Sequence, residues 1–268
     1  YGSLTRGMLA ASRARKSAGP SKTSVFMSLA GGTTALIDAL VDQLDADLRL
    51  NTGVEAIEWG ACYSIYLDDG TVIDADAVVM TTPAYTAADL VEPIAPAAAD
   101  ALNTIRYVST GTLTLAFRAE DVPRLPNGFG LVVPSSENRP INAITVSSTK
   151  FDQRAPEGTV LLRAFFGGSR SPASMHLDDV NLLAMVRGQL RELLGITAEP
   201  LLHRAFRWWH ANPQYDVGHL ERVAAIEAAL PEGLYVAGSA YRGVGLPDCV
   251  HSAQQTADAV IAGLGVRV

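Results

Sequence analysis

Only two cysteines, Cys62 and Cys249, occur in 268 residues, and they lie far apart. That excludes a disulfide framework and a cysteine-based metal site, and it fits a reducing cytoplasm. Positive charge is in deficit: 21 Lys and Arg stand against 28 Asp and Glu, a net charge of −7. No basic patch interrupts this balance, which speaks against nucleic acid as a partner. No apolar run reaches the roughly 18 residues of a membrane span. The first residues, Tyr1-Gly-Ser-Leu-Thr-Arg6, show neither an initiator Met nor the apolar core of a signal peptide. They read as the middle of a longer protein. Internal repeats and low-complexity segments are lacking, and no G-x-G-x-x-G turn of the phosphate-binding kind follows a strand. No Ser/His/Asp or Cys/His arrangement appears. Cys249 and His251 are two apart and would diverge on a helix. His210 and His219 are nine apart, without metal-ligand spacing. No metal site is assigned.

What is present is apolar. Hydrophobic residues make up 48% of the chain, enough for one large core or two modest ones. Residues 1–24 are polar and basic, with Arg6, Arg13, Arg15, Lys16 and Lys22 and a Gly19-Pro20 breaker. A helix end and loop, or a membrane-surface anchor, would both fit. A short strand is predicted at 25–29. Thr33 or Thr34 then caps a helix with Leu36, Ile37, Leu40, Val41 and Leu44 on its apolar side. Further strands are expected at 48–51 and 53–59. Asp68-Asp69-Gly70 marks a hairpin turn between 64–67 and 71–73. A buried strand runs from 75 to Pro83.

The texture changes near residue 92. A short helix at 97–105 precedes extended segments at 112–118, 129–133, 141–147 and 160–166. Asp178 or Asp179 opens a helix carrying Val180, Leu183, Val186, Leu190 and Leu193. A strand at 201–209 ends in two tryptophans, and a helix at 218–230 has Leu220, Val223 and Leu230 on one face. The end of the chain is a strand to Gly238, a glycine-rich loop and a helix beginning at Asp248. Residues 25–91 and 231–268 are thus expected to form one α/β layer, with 92–230 a sheet covered by helices on one side.

Three segments could carry chemistry. In Tyr241-Arg-Gly-Val-Gly-Leu-Pro-Asp-Cys249, Gly243 and Gly245 permit positive φ and close backbone approach. Pro247 suits the helix entry and Asp248 its N-cap. Loop amides and a helix N-terminus beyond a strand end make a cofactor position in an open α/β sheet; a plain strand–helix connection is equally compatible. In Arg207-Trp208-Trp209-His210, adjacent tryptophans on a strand point to opposite faces, so that one can enter the core while the other lines a pocket; a core or surface-patch role is the alternative. In Asn127-Gly-Phe129-Gly130, an aromatic ring between glycines suits a flat ligand or a bulged edge strand. Phe165-Phe166-Gly167-Gly168 offers a second aromatic surface.

Taken together, these segments resemble the flavin-dependent porphyrinogen oxidases, namely protoporphyrinogen oxidase and the Gram-positive coproporphyrinogen III oxidase. The matching pieces run in the family's order: Ser28-Leu-Ala-Gly-Gly32, Gly53-Val54-Glu-Ala-Ile57, Val78-Val-Met-Thr-Thr-Pro83, Gly128-Phe-Gly-Leu-Val-Val-Pro134, Pro213-Gln-Tyr-Asp-Val-Gly-His219 and Ala237-Gly-Ser-Ala-Tyr-Arg-Gly-Val-Gly-Leu-Pro-Asp-Cys249. The resemblance implies an α/β (α+β) fold in which a Rossmann-like FAD-binding domain interleaves with a mixed-sheet substrate domain. It implies the carboxy-terminal portion of such an enzyme, its first βαβ unit missing. The divisions are 1–24 (end of a helical membrane-facing region), 25–91 (FAD-binding part), 92–230 (substrate domain) and 231–268 (FAD-binding part).

By the same resemblance, Val54, Trp208, Ser239, Val244, Gly245 and Leu246 would contact FAD. Phe129, Val132, Thr145 and Phe165 would line the porphyrinogen pocket. The implied reaction is hydride abstraction from the porphyrinogen ring by FAD, three times over, with oxygen as acceptor and hydrogen peroxide as product. Alanine richness resembles the actinobacterial enzymes and favours coproporphyrinogen III; the polar Thr145 is compatible with it. The family leaves room for a homodimer, and for peripheral membrane contact through the missing region of an otherwise cytoplasmic protein. Another amine-oxidase-like flavoprotein, such as a carotenoid desaturase, or an inactive truncated fragment, are the alternatives.

Overall fold

The computed structural model describes residues 3–17 and 27–265. The strand expected at 25–29 falls partly outside them, and Met27, Ser28 and Leu29 carry no regular structure. Helix α1 spans Leu4–Ser17 and α2 spans Thr34–Val41. Thr33 is the N-cap of α2, but its backbone is already helical and its side chain makes no capping hydrogen bond. The apolar side of α2 is exposed rather than packed. No strand forms at 48–51: Asn51 adopts φ +56 and turns the chain there.

β1 (Val54–Trp59), β2 (Tyr63–Leu67) and β3 (Val72–Ala75) make an antiparallel sheet in that order. Gly70 at φ +82 closes the β2–β3 turn, and Asp69 accepts the Thr71 N–H at 2.8 Å, the local bond that makes Asp-Asp-Gly a turn former. β4 (Val78–Met80) follows, then α3 (Ala84–Val91) and α4 (Pro96–Asn103). Both helices bury alanines, Ala84, Ala87 and Ala88 on α3 and Ala98 and Ala99 on α4, which lets the helices approach closely. β4 pairs in parallel with β10 (Leu234–Val236), Val78 with Leu234, from the far end of the chain.

A five-stranded antiparallel sheet has the order β6-β7-β8-β5-β9. Its strands are β5 (Tyr107–Arg118), β6 (Gly130–Val132), β7 (Ile141–Val146), β8 (Thr159–Gly167) and β9 (Leu202–Pro213). A single helical turn, α5 (Ser147–Lys150), links β7 toward β8. Helix α6 (Asp179–Leu194) starts at Asp178, whose side chain accepts the Asn181 N–H, and ends at Gly195 in the left-handed region. That is a capped helix with a glycine stop. The buried stripe of α6 is Leu182, Val186, Leu190 and Leu194, at a strict spacing of four. The stripe packs on Leu113, Leu115, Phe117, Ile144, Val146 and Leu162 from one face of the sheet. Of the expected stripe, Val186 and Leu190 are buried and Leu183 and Leu193 pack against this core, whereas Val180 is 78% exposed.

A second core joins β4, β10, α3, α4 and α7 (His219–Ala229). Helices α4 and α7, which the sequence reading grouped with the large sheet, therefore pack with the β4–β10 pair. On α7 the buried residues are His219, Val223 and Ile226, whereas Leu220 is exposed. Helix α8 spans Leu246–Gly263 and closes the chain.

Candidate functional site

Strand register decides which side chains share the open face of the five-stranded sheet. Directly paired residues in an antiparallel sheet point to the same side. Val132 pairs with Ala143, Ala143 with Phe165, Phe165 with Thr112, and Thr112 with Phe206. One step along, Thr145 pairs with Gly130 and Arg163, and Thr110 pairs with Trp208. All of these lie on the face away from α6. Val132, Thr145, Phe165 and Trp208 thus come onto one face, joined by Phe206, whose ring stacks on Trp208 at 6.1 Å. Phe166 goes to the opposite face and fills the core at 1% exposure. A Cβ on Gly111 would lie 2.3 Å from its ring, so only glycine fits opposite it.

The two tryptophans do point apart, but neither enters a core. Trp208 and Trp209 are both about half exposed, and Trp209 meets His176 at 5.3 Å. The strand is bulged here: Thr110 pairs with Trp208 while Val108 pairs with Asn212, and His210 sits at φ +45. A bulge re-aims the side chains beside it. Arg207 anchors the strand by bonds to Asp179 at 2.8 Å and to the Leu177 carbonyl at 2.7 Å.

Phe129 stands apart from that face. It precedes β6, between Gly128 at φ +140 and Gly130 at φ +151. A Cβ on Gly130 would lie 2.1 Å from the Ile144 carbonyl oxygen, so the glycine is demanded by backbone approach. Phe129 lines a groove of about 500 Å³ with residues 27–30 and 150–154. Arg154 crosses the groove to donate to the Leu29 carbonyl at 3.1 Å.

Val54 opens β1, in a different sheet from Trp208, and is 42% exposed. Ser239, Val244 and Leu246 lie exposed along the loop that follows β10. The loop differs from expectation at its helix end. α8 starts at Leu246, with Gly245 as its N-cap and Pro247 in its first turn. Asp248 is therefore the third helical residue and not the cap. It supplies a negative charge to the first turn, favourable to the helix dipole. Its side chain also folds against the loop: a Cβ on Gly243 would lie 2.4 Å from Asp248 Cβ, and one on Gly245 would lie 2.9 Å from Asp248 Oδ2.

Tyr215 and His219 hold this loop in place. Tyr215 Oη donates to the Ser239 carbonyl at 2.7 Å and accepts the Gly243 N–H at 2.8 Å. The His219 ring, buried at 5% exposure, lies 4.0 Å from the Tyr215 ring in a stacked arrangement. Its Nε2 lies 2.8 Å from the Tyr241 carbonyl oxygen. Burial pushes the Tyr215 hydroxyl above the usual tyrosine range, and burial does the same more strongly to Tyr241. Both therefore stay protonated at neutral pH. The wording Pro213-Gln-Tyr…Gly-His was the available signal, but its targets are backbone groups and leave no partner pattern in the sequence.

No cluster of His, Cys, Asp or Glu able to hold a metal ion occurs among the described residues. Nor is any helix among them long and apolar enough to cross a membrane.

The chain is similar to known proteins over most of its length. Residues 5–261 match the family model for flavin containing amine oxidoreductases. Over 244 residues the chain is 42% identical to coproporphyrinogen III oxidase of Propionibacterium freudenreichii subsp. freudenreichii, covering 89% of this chain and 45% of that one. It is 32% identical to the chloroplastic protoporphyrinogen oxidase of Nicotiana tabacum, over 85% of this chain and 45% of that one. Among solved structures, one from Exiguobacterium sp. 255-15, provisionally named a protoporphyrinogen oxidase, superposes with a TM-score of 0.79 at 32% identity. That match covers 87% of this chain and 51% of the other. The chain spans about half the length of the curated relatives it matches. It belongs to the flavin containing amine oxidoreductase family.

Proposed function

We propose that the chain supplies the substrate-facing sheet and the carboxy-terminal cofactor loop of an FAD-dependent porphyrinogen oxidase of haem biosynthesis. Coproporphyrinogen III is the favoured substrate, since the 42% identical relative carries that name. Protoporphyrinogen IX is the second reading, after the tobacco relative. The observation that carries the proposal is the open sheet face. Val132, Phe165, Phe206 and Trp208 share this face with the polar Thr110, Thr112, Thr145 and Arg163, while the opposite face packs on α6 over most of its width. A wide, flat wall suits a macrocycle better than the long narrow tunnel a carotenoid would need.

The residues fit a dinucleotide cofactor in one testable respect. Gly243 admits no side chain, Gly245 leaves the helix start without a side-chain cap, and exposed Ser239, Val244 and Leu246 line the approach. Free first-turn N–H groups with close backbone access suit an anionic pyrophosphate. Bound there, FAD would supply the two-electron oxidising power, with oxygen as final acceptor and hydrogen peroxide as product. The chain's own contribution is position and dryness: Phe165, Phe206 and Trp208 displace water from the macrocycle's face, and Thr145 offers a hydroxyl to a polar edge.

A βαβ unit outside this chain would complete the cofactor layer. A two-stranded parallel sheet is a fragment of an architecture normally covered on both faces. Here Val79 of β4 is 41% exposed, and Ile37 and Leu40 of α2 are each 56% exposed. Porphyrin fluorescence from coproporphyrinogen III and from protoporphyrinogen IX, with FAD added, tests the proposal on this chain and on a form joined to a G-x-G-x-x-G βαβ unit. Turnover in the joined form supports it and identifies the substrate. Flavin binding without turnover of either porphyrinogen would redirect the assignment to another reaction of the same family.

A further inference from the structure

We infer that Tyr215 and His219 are positioning residues that lock the Ser239–Gly243 loop in its cofactor-binding shape. The inference rests on the reading of that loop as the flavin-facing one. Three consecutive odd positions of the loop are held by two stacked rings. The Ser239 carbonyl and the Gly243 N–H both bond to Tyr215 Oη, and the Tyr241 carbonyl bonds to His219 Nε2.

Each residue type is needed for what its polar atoms can do. One phenol oxygen must donate and accept at once, which phenylalanine cannot do at all. A carbonyl only accepts, so His219 must carry its proton on Nε2 in this arrangement. Its Nδ1 is then a lone-pair nitrogen, buried and without a partner. The stacking, with ring planes only 13° apart, fixes both rings against each other.

The clamp is itself anchored. Arg106 bonds both carboxylate oxygens of Asp216, at 3.0 and 3.2 Å, and reaches Ser169 at 3.1 Å beyond the end of β8. The Arg106 carbonyl also accepts the Gln214 N–H at 2.8 Å. The segment that grips the loop is thereby tied to the strand ends that carry the open apolar face. Gly218 at φ +84 makes the turn that brings His219 under Tyr215.

The experiment compares Tyr215→Phe, His219→Leu and His219→Gln with the unaltered protein. The glutamine variant keeps an N–H donor near the position of Nε2. Hydrogen exchange of the Gly243 amide is read on the whole chain, and flavin affinity on the chain joined to a βαβ unit. Melting temperature controls for general loss of fold. Tyr215→Phe should speed Gly243 exchange about tenfold, the effect of one net hydrogen bond, and weaken flavin binding by a similar factor. His219→Leu should weaken flavin binding, and His219→Gln should recover most of the loss. Unchanged Gly243 exchange in Tyr215→Phe, in a protein that still binds flavin, overturns the inference. So does faster exchange with unaltered flavin affinity. If the unaltered joined protein binds no flavin, the reading of the site has failed instead, and the inference with it.

Discussion

Gly243 and Gly245 are two glycines in one loop, yet the structure gives them different reasons to be glycine. At Gly243 the backbone has φ +151, and an added Cβ would meet Asp248 Cβ at 2.4 Å and Cγ at 2.7 Å. A Cβ atom is fixed by its own backbone, so no rotation of Asp248 relieves that contact. At Gly245 the backbone is ordinary, with φ −74, and the near atom is Asp248 Oδ2 at 2.9 Å, the end of a side chain that can turn away. Strain at an unfavourable φ is worth about 1–3 kcal/mol, and overpacking about 1–3 kcal/mol more. Because the loop is exposed it can relax in part, so Gly243→Ala should cost about 2–3 kcal/mol. The loss should fall mainly on the cofactor, as a roughly 30- to 100-fold weaker flavin dissociation constant. Gly245→Ala should stay within about 1 kcal/mol. Adding Asp248→Ala separates the two cases: it should rescue Gly245→Ala and leave Gly243→Ala impaired. The assay is quenching of flavin fluorescence on the chain joined to a βαβ unit, with thermal melting alongside. Unimpaired flavin binding by Gly243→Ala, or its rescue by Asp248→Ala, would refute the reasoning.

Gly111→Ala should lower stability by about 1–3 kcal/mol through collision with the Phe166 ring, and Phe166→Leu on top of it should recover part of the loss; denaturant unfolding of all three variants checks this. Phe165→Ala removes a ring from the open face, not from the packed one, so it should raise the Michaelis constant for porphyrinogen while flavin content and melting temperature stay close to the unaltered values. The hydrogen bond from Arg106 holds the Asp216 carboxyl below the usual carboxylate range. A depressed folded-state pKa contributes stability that is fully present above the ordinary value of 3.8 and is lost as pH falls through the folded value. The Arg106–Asp216 tether should therefore be unchanged between pH 7 and 5 and fade only in strong acid; carboxyl NMR titration of Asp216, with Arg106→Gln raising the midpoint, tests the sign.

Local signals were legible wherever a short-range bond makes them. Asp68-Asp69-Gly70 announces its hairpin because the Asp69 side chain bonds the backbone two residues on. Asp178 announces α6 for the same reason, by bonding the Asn181 N–H. Burial was less legible. The periodicity of α2 is real, but none of its residues is buried, since an apolar stripe states only that a partner is needed. On α6 the expected Val186 and Leu190 are buried and Leu183 and Leu193 pack at the edge of the same core, but the centre of the stripe runs through Leu182 and Leu194, a choice that only the tertiary contact makes. Asp248 looked like a cap because Asp favours that position, whereas Gly245 and Pro247 together begin the helix three residues earlier.

The largest error of extent explains why the clamp stayed hidden. β5 was expected at 112–118 and β9 at 201–209, yet they run Tyr107–Arg118 and Leu202–Pro213. In the missed parts, residues 107–111 and 210–213, the strand formers Tyr107, Val108 and Thr110 are interrupted by Ser109 and Gly111, and residues 210–213 carry a bulge, Asn212 and Pro213, which are poor strand signals. They are also the parts that pass from one core to the other. Tyr107 belongs to the α3–α4–β10 core, where its hydroxyl accepts the Ala84 N–H at 2.8 Å, while Leu113 and Leu115 on the same strand belong to the core under α6. Pro213 pairs with Tyr107, and Tyr215 follows two residues later. The irregular ends of these two strands therefore join what their regular parts carry, the open face with Phe206 and Trp208, to the segment whose Tyr215 grips the glycine-rich loop. The loop keeps its geometry only if these strand ends stay paired, so changes at Val108–Thr110 should disturb flavin and substrate together, whereas changes at Gly111 and Leu113–Phe117 should be felt as stability alone.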